Sequence, residues 1–226
     1  MCKSDEPRRP DESDPSPDSQ LGAKQVQLVG LRMTVHAQPS ITAHLSTVQE
    51  EHLSLPPNPL LLQTVIERGG KTNEGELVIA VMLPWFEIIA AIRRDPSFMF
   101  QLHPRKWEEM IAGVYERARF DEVILTPHSG DAGRDVIATK RGVGTIRVID
   151  QVKAYAPGHL VTADDVRALY GVLAADSRAS KGFLTTTSNF APRLREDPLM
   201  GPLIPSRLEL INGTQLLARL KELTEK

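Results

Sequence analysis

From residue 104 onward the apolar positions of the chain fall into short, regular blocks. Trp107, Ile111, Val114 and Tyr115 recur at helical spacing behind Pro104, a residue suited to opening a helix. Phe120–Thr126, Arg134–Thr139 and Thr145–Tyr155 then read as three strands, the last two joined by the turn Arg141-Gly142-Val143-Gly144. Ala163–Ala175 returns to the helical period with Thr162 as its N-cap. Lys181–Thr187 reads as a fourth strand, followed by a short helix after Ser188-Asn189. Leu208–Ile211 predicts a short strand and Gly213–Leu223 a closing helix. Helix, three strands, helix, strand is the order of a layered mixed α/β domain rather than a doubly wound sheet.

The first half is less regular. Residues 24–36 alternate apolar and polar positions and predict a strand. Pro56, Pro57 and Pro59 mark a loop, and Leu60–Arg68 reads as a short helix ended by Gly69-Gly70. Glu76–Met82 predicts a buried strand, and Pro84 then suits the first turn of a helix running to about Arg94, with Trp85 and Phe86 in the core. Residues 23–98 are thus expected to form a small α/β appendage to a domain at 99–226. Ahead of both, residues 1–20 carry no large apolar residue after Met1 and are rich in Pro, Ser and Asp, which predicts a disordered acidic tail reaching to about residue 22.

Composition narrows the function classes. The single cysteine, Cys2, lies in the tail and excludes a disulfide framework or a cysteine zinc site, as suits a reducing cytoplasm. The most apolar stretch, Leu77–Ile92, is shorter than a membrane span and contains Pro84 and Glu87, so no membrane partner is expected. The first residues show no basic region followed by an apolar core, so no signal peptide is expected. The net charge of −2 is unevenly spread: residues 1–98 carry −4 and residues 99–226 carry +2. That is a weak basic bias for a protein that only coats phosphates. It suits one that meets phosphates through a metal ion, because the ion supplies part of the positive charge. No Walker loop or dinucleotide fingerprint is present, so no nucleotide cofactor is expected.

Three pieces carry candidate chemistry. Gly130-Asp131-Ala132-Gly133-Arg134-Asp135 is a glycine-rich loop entering a strand, Gln151-Val152-Lys153 lies on the next strand, and Trp107-Glu108-Glu109 lies on the preceding helix. Phosphodiester hydrolysis needs hard oxygen ligands for a metal and a charged group that favours hydroxide. Asp135 supplies a carboxylate. Gln151 and Lys153, two apart on a strand, present an amide and an ammonium on one face, while Val152 points the other way into the core. With the hairpin turn centred near 142–143, Asp135 falls opposite Gln151. The histidines, including His103 and His128, show no metal spacing. Thr185-Thr186-Thr187 and Asn189 fit strand propensity and helix capping. Asn212-Gly213-Thr214 matches a glycosylation sequon with nothing else pointing to secretion.

Taken together, residues of about 104–222 resemble the Mrr-like catalytic domain of type IV and related restriction endonucleases, within the PD-(D/E)XK nuclease superfamily. The stretches that carry the resemblance are RKWEEMIAGVYERARFDEVILT, SGDAGRDVIAT, IDQVKAY, VRALYGVL and GFLTTTSNFA. It implies an α/β fold with a restriction-endonuclease-like αβββαβ core, and hydrolysis of DNA in host defence with Mg²⁺ or Mn²⁺, leaving 5′-phosphates. The family's catalytic positions fall on Glu108, Asp135, Gln151 and Lys153, with Glu109 competing for the place of the helix acid. Asp135, Gln151 and the backbone of Val152 would hold the metal. The wider superfamily usually has an acid where this chain has Gln151, which leaves one negative charge fewer on the ion. DNA is the expected partner, and a homodimer would supply two active sites for two strands. The alternatives are a DNA-binding or assembly module of the same fold that cuts little, and a nuclease for branched DNA or RNA.

Overall fold

The computed structural model describes residues 58–130 and 133–225. The expected tail, the strand at 24–36, Cys2 and Asp131 lie outside the described residues. The elements are α1 (Pro59–Leu62), β1 (Ile66–Lys71), β2 (Glu76–Val81), α2 (Leu83–Arg94), a 3-10 helix at Pro96–Gln101, α3 (Pro104–Arg117), β3 (Glu122–Leu125), β4 (Val136–Arg141) and β5 (Thr145–Lys153). After them come β6 (Leu160–Val161), α4 (Ala163–Ala175), β7 (Lys181–Thr186), β8 (Asn189–Phe190), 3-10 turns at Leu194–Glu196 and Gly201–Leu203, β9 (Leu208–Ile211) and α5 (Gly213–Thr224).

Seven strands form one sheet in the order β1-β2-β3-β4-β5-β7-β9. The first five are antiparallel neighbours, and β7 and β9 then add in parallel to β5. The run α3-β3-β4-β5-α4-β7 is the αβββαβ core that the sequence pattern predicts. The strands β1 and β2 extend its sheet, because Glu76 and Leu77 of β2 pair with Leu125 and Ile124 of β3.

Two apolar layers hold the sheet. One gathers Trp85 and Ile88 of α2, Trp107, Met110 and Tyr115 of α3 and Leu216 and Leu220 of α5 against Val136, Ala138 and Val148. The other packs Val166, Leu169 and Leu173 of α4 on Ile149 and Leu184. Burying a large side chain stabilises by roughly 1.5–3 kcal/mol. The alternation along β5 follows from strand pleating: Val148 and Val152 meet the first layer, Ile149 the second. The two buried indoles are hydrogen-bonded, Trp85 Nε1 to the Met110 carbonyl and Trp107 Nε1 to the Met99 carbonyl, each at 3.0 Å.

Two sequence expectations are corrected. The helix expected over Leu60–Arg68 is a single turn, Pro59–Leu62, and Gly69-Gly70 lies inside β1 instead of ending a helix. Val65 and Ile66 are fully buried, and pairing with β2 outweighs local helix propensity. The register of β1 shifts on both sides of Arg68, and a side chain at Gly69 would press on Ile79, so small residues suit this irregular hairpin. The helix expected after Ser188-Asn189 is absent. Asn189 and Phe190 pair in parallel with Leu160 and Val161, and only the 3-10 turn Leu194–Glu196 follows. Pro192 lacks an N–H and Arg193 sits at φ 65°, which together break a helical path.

Candidate active site

The hairpin of β4 and β5 sets the geometry. Val136 pairs with Asp150 and Arg141 with Thr145, so the ladder has the register read from the sequence and ends one residue after Asp135. Asp135 lies just ahead of β4, and its backbone is held at both ends. Its N–H donates to the Asp150 carbonyl at 3.2 Å, and its carbonyl accepts from the Thr126 N–H and hydroxyl, each at 3.0 Å. The side chain is buried at 8% exposure, and Oδ2 accepts the Val152 N–H at 2.6 Å.

Gly133 approaches this site from the loop with φ 77°, a conformation that favours glycine. A Cβ there would lie 3.2 Å from Val172 of α4 and 3.5 Å from Nε2 of Gln151. Gln151 therefore faces the α4 side of the sheet. Its Oε1 is buried and has no hydrogen-bond partner among the described residues. Lys153, two residues on, also faces α4, with Nζ 3.5 Å from Oδ1 of Asp165. Asp165 is fixed by the α4 capping box with Thr162 and accepts the Tyr155 hydroxyl at 3.2 Å. Burial raises the Asp165 carboxyl, but the backbone and hydroxyl of Thr162, the Lys153 ammonium and the Tyr155 hydroxyl together hold it below the ordinary aspartate value.

On α3, the two adjacent acids part company. Glu108 pairs with Arg105 at 2.5 Å, and the same Arg105 nitrogen donates to the Thr126 carbonyl at 2.9 Å. Thr126 in turn bonds Asp135, so Glu108 is linked to the Asp135 end of the sheet. Glu109 instead pairs with Arg68 of β1 at 2.6 Å and Lys106 at 2.9 Å.

An amide and an ammonium thus share the α4 face at the end of β5, and a carboxylate is bonded to the backbone of the residue between them. A family model described as a restriction endonuclease, Mrr_cat, matches residues 99–220. The chain belongs to this restriction endonuclease family. Two solved structures are similar to it: the MspJI restriction endonuclease in complex with a 27-mer oligonucleotide and the DNA modification-dependent restriction endonuclease AspBHI. The first is 21% identical with a TM-score of 0.44, over 58% of this chain and 30% of that one. The second is 16% identical with a TM-score of 0.42, over 71% and 39%. The match therefore spans about three tenths of the length of the first and two fifths of the second. No curated protein matches it.

Within the Mrr_cat region, residues outside the candidate set hold the surrounding elements in place. Thr126 bonds the backbone of both Arg134 and Asp135. Thr186 and Thr187 donate to the carbonyls of Lys153 and Tyr155 at 2.8 and 2.7 Å, tying β7 to the functional end of β5. Asn212 caps α5 in a reciprocal pair with Gln215, and His103 caps α3. The most consequential omission is Asp150, fully buried on the α3 face of β5. Its Oδ2 accepts from the Tyr115 hydroxyl at 2.8 Å and from Thr185 at 3.1 Å, and Oδ1 has no partner among the described residues. Burial pushes its pKa up to about 7, against the lowering pull of Tyr115, the Arg219 guanidinium and Thr185. Burial first, then the charge of Asp150, pushes the Tyr115 hydroxyl well above its ordinary value. The signal in the sequence was an acid at a position between Val148 and Val152, on the apolar face of a buried strand.

Among the described residues no group of three His, Cys, Asp or Glu side chains could hold a metal ion. The donor set at this end of β5 is mixed: one carboxylate, Asp135, and one amide oxygen, Gln151. Hard cations such as Mg²⁺ accept carboxylates, amide and backbone carbonyl oxygens and keep several waters, so two protein ligands fit the ion. The buried, partnerless Oε1 of Gln151 is the observation that favours such a ligand, because an unsatisfied buried acceptor costs about 1–3 kcal/mol.

Proposed function

We propose that the chain is a Mg²⁺- or Mn²⁺-dependent DNA endonuclease of cytoplasmic host defence, with Asp135, Gln151, Lys153 and Glu108 as its catalytic residues. The observation that carries the reading is the Asp135 carboxylate seated on the Val152 N–H, between Gln151 and Lys153, which both face α4. The family, Mrr_cat, supplies the reaction class.

Asp135, the amide oxygen of Gln151 and the carbonyl of Val152 would hold the ion, which when bound polarises the phosphate and favours hydroxide. The chain's own residues do the rest. Asp135 is fixed before any ligand arrives by three backbone bonds and one side-chain bond, so little reorganisation accompanies binding. The Lys153 amine, 3.5 Å from Asp165, meets the charge that develops on the phosphoryl oxygens. Glu108 is the helix acid and Glu109 is not, because Glu109 is held between two cations on the β1 side. A dimer with two such sites would sever both strands.

Supercoiled plasmid incubated with the pure chain tests the reading. Nicked or linear product with Mg²⁺ or Mn²⁺, and none in EDTA, is expected. The competing reading is a DNA-binding module of the same fold, favoured by the single acid among the two side-chain ligands at Asp135 and Gln151. Tight binding in EDTA with no product under any divalent ion would establish that module instead.

A further inference from the structure

The C-terminal ends of β5, β7 and β9 lie at one end of the sheet: Lys153 pairs with Thr186, and Thr185 pairs with Ile211. Beyond the candidate metal ligands, a cleft of about 490 Å³ opens where β8, the turn Leu194–Glu196, β9 and the start of α5 meet. Arg193 and Arg195 line it together with Glu196, Asn189 and Gln215. Both arginines are exposed, and neither guanidinium has an ion-pair or hydrogen-bond partner among the described residues. The neighbouring cation Arg167 is different, being held by Asp164 and Asp197. Asp197 is thereby paired with Arg167 and lies off the cleft, whose lining acid is Glu196. The backbone of Arg193 is left-handed, with φ 65° and ψ 10°, although it is not glycine. Strained non-glycine residues concentrate at functional positions, and the turn they make here replaces the helix that the sequence pattern predicts.

We propose that this cleft is a second anion site of the nuclease, in which Arg193 and Arg195 grip a backbone phosphate of the DNA strand that enters the active site. Guanidinium forks match phosphate oxygens in pairs, and Asn189 and Gln215 add amide donors. Neighbouring strands lie about 4.8 Å apart, so β9 is about 10 Å from β5. Each strand of a duplex rises about 3.4 Å per phosphate, so the gripped phosphate belongs to a nucleotide a few steps from the bond cut at Lys153. The site gives register to a substrate that the near-neutral remainder of the chain attracts only weakly.

The inference rests on the reading of the chain as a DNA nuclease, and equilibrium binding separates the two. Affinity of the full chain for a labelled duplex is measured in EDTA across a salt series, alongside the variant R193Q/R195Q. The variant is expected to melt at the parent's temperature, to bind weakly, and to show a log–log salt slope smaller by about one to two. A scan of duplexes carrying one neutral methylphosphonate should find a position that weakens the parent and is silent in the variant. An unchanged slope, or a scan identical in both proteins, overturns the proposal even if the parent cuts DNA. The expected slope change in a parent that never cuts keeps the phosphate site and removes the nuclease reading.

Discussion

Asp135 and Val152 are joined across the hairpin: the aspartate Oδ2 accepts the valine N–H at 2.6 Å, which turns the carboxylate toward the end of β5 where Gln151 and Lys153 lie. One contact therefore serves the fold and aims the acid. Asp135→Asn keeps an acceptor for that N–H and removes the charge. It should lose cleavage by at least about a hundredfold while leaving the melting temperature within a few degrees, whereas Asp135→Ala should also destabilise by about 1–3 kcal/mol. Plasmid nicking and calorimetry on both variants check this.

Gln151 should respond in two directions. Gln151→Glu restores a second carboxylate and should lower the Mg²⁺ concentration for half-maximal cutting. Gln151→Leu should end cutting without loss of stability, because it removes a buried oxygen that has no partner. A metal titration of activity, with thermal melts, distinguishes the two.

The acids of α3 should separate cleanly. Glu108→Gln should lower the cleavage rate with DNA affinity unchanged. Glu109→Gln should leave the rate intact and destabilise by about 1–3 kcal/mol, since a buried carboxylate loses its charge beside Arg68 and Lys106. Single-turnover rates and melts on both variants decide it.

Asp150 makes stability depend on pH. Its folded pKa, about 7, lies above the ordinary value of 3.8, so the native state binds the extra proton between these values. The stabilisation is complete below about pH 4 and is lost as pH rises through 7, by up to about 4 kcal/mol for an isolated group. Melting temperature should fall from pH 5 to pH 8 in the parent, and Asp150→Asn should flatten that fall. A parent whose melting rises over this window would contradict the assignment.

Much of this was legible in the sequence because the core elements agree at several levels. Pro104, the Thr162 capping box and the Gly142–Gly144 turn each fix a boundary, and the turn alone dictates the register of β4 on β5. What escaped depends on partners far along the chain. The Gly69-Gly70 pair reads as a helix stop until β2 is beside it. Asn189-Phe190 reads as a helix start until the short strand at Leu160–Val161 claims it. Likewise, Arg105 and Thr126 have no distinguishing pattern; their role comes from bonds spanning 21 and 9 residues.

The most direct test of the central claim is a crystal structure of Lys153→Ala soaked with Mn²⁺, read by anomalous scattering. One ion is expected within bonding distance of the Asp135 carboxylate and Gln151 Oε1, with the Val152 carbonyl beside it. A fully loaded crystal with no ion at Asp135, or an ion held elsewhere and Asp135 still bound only to Val152, would contradict the account.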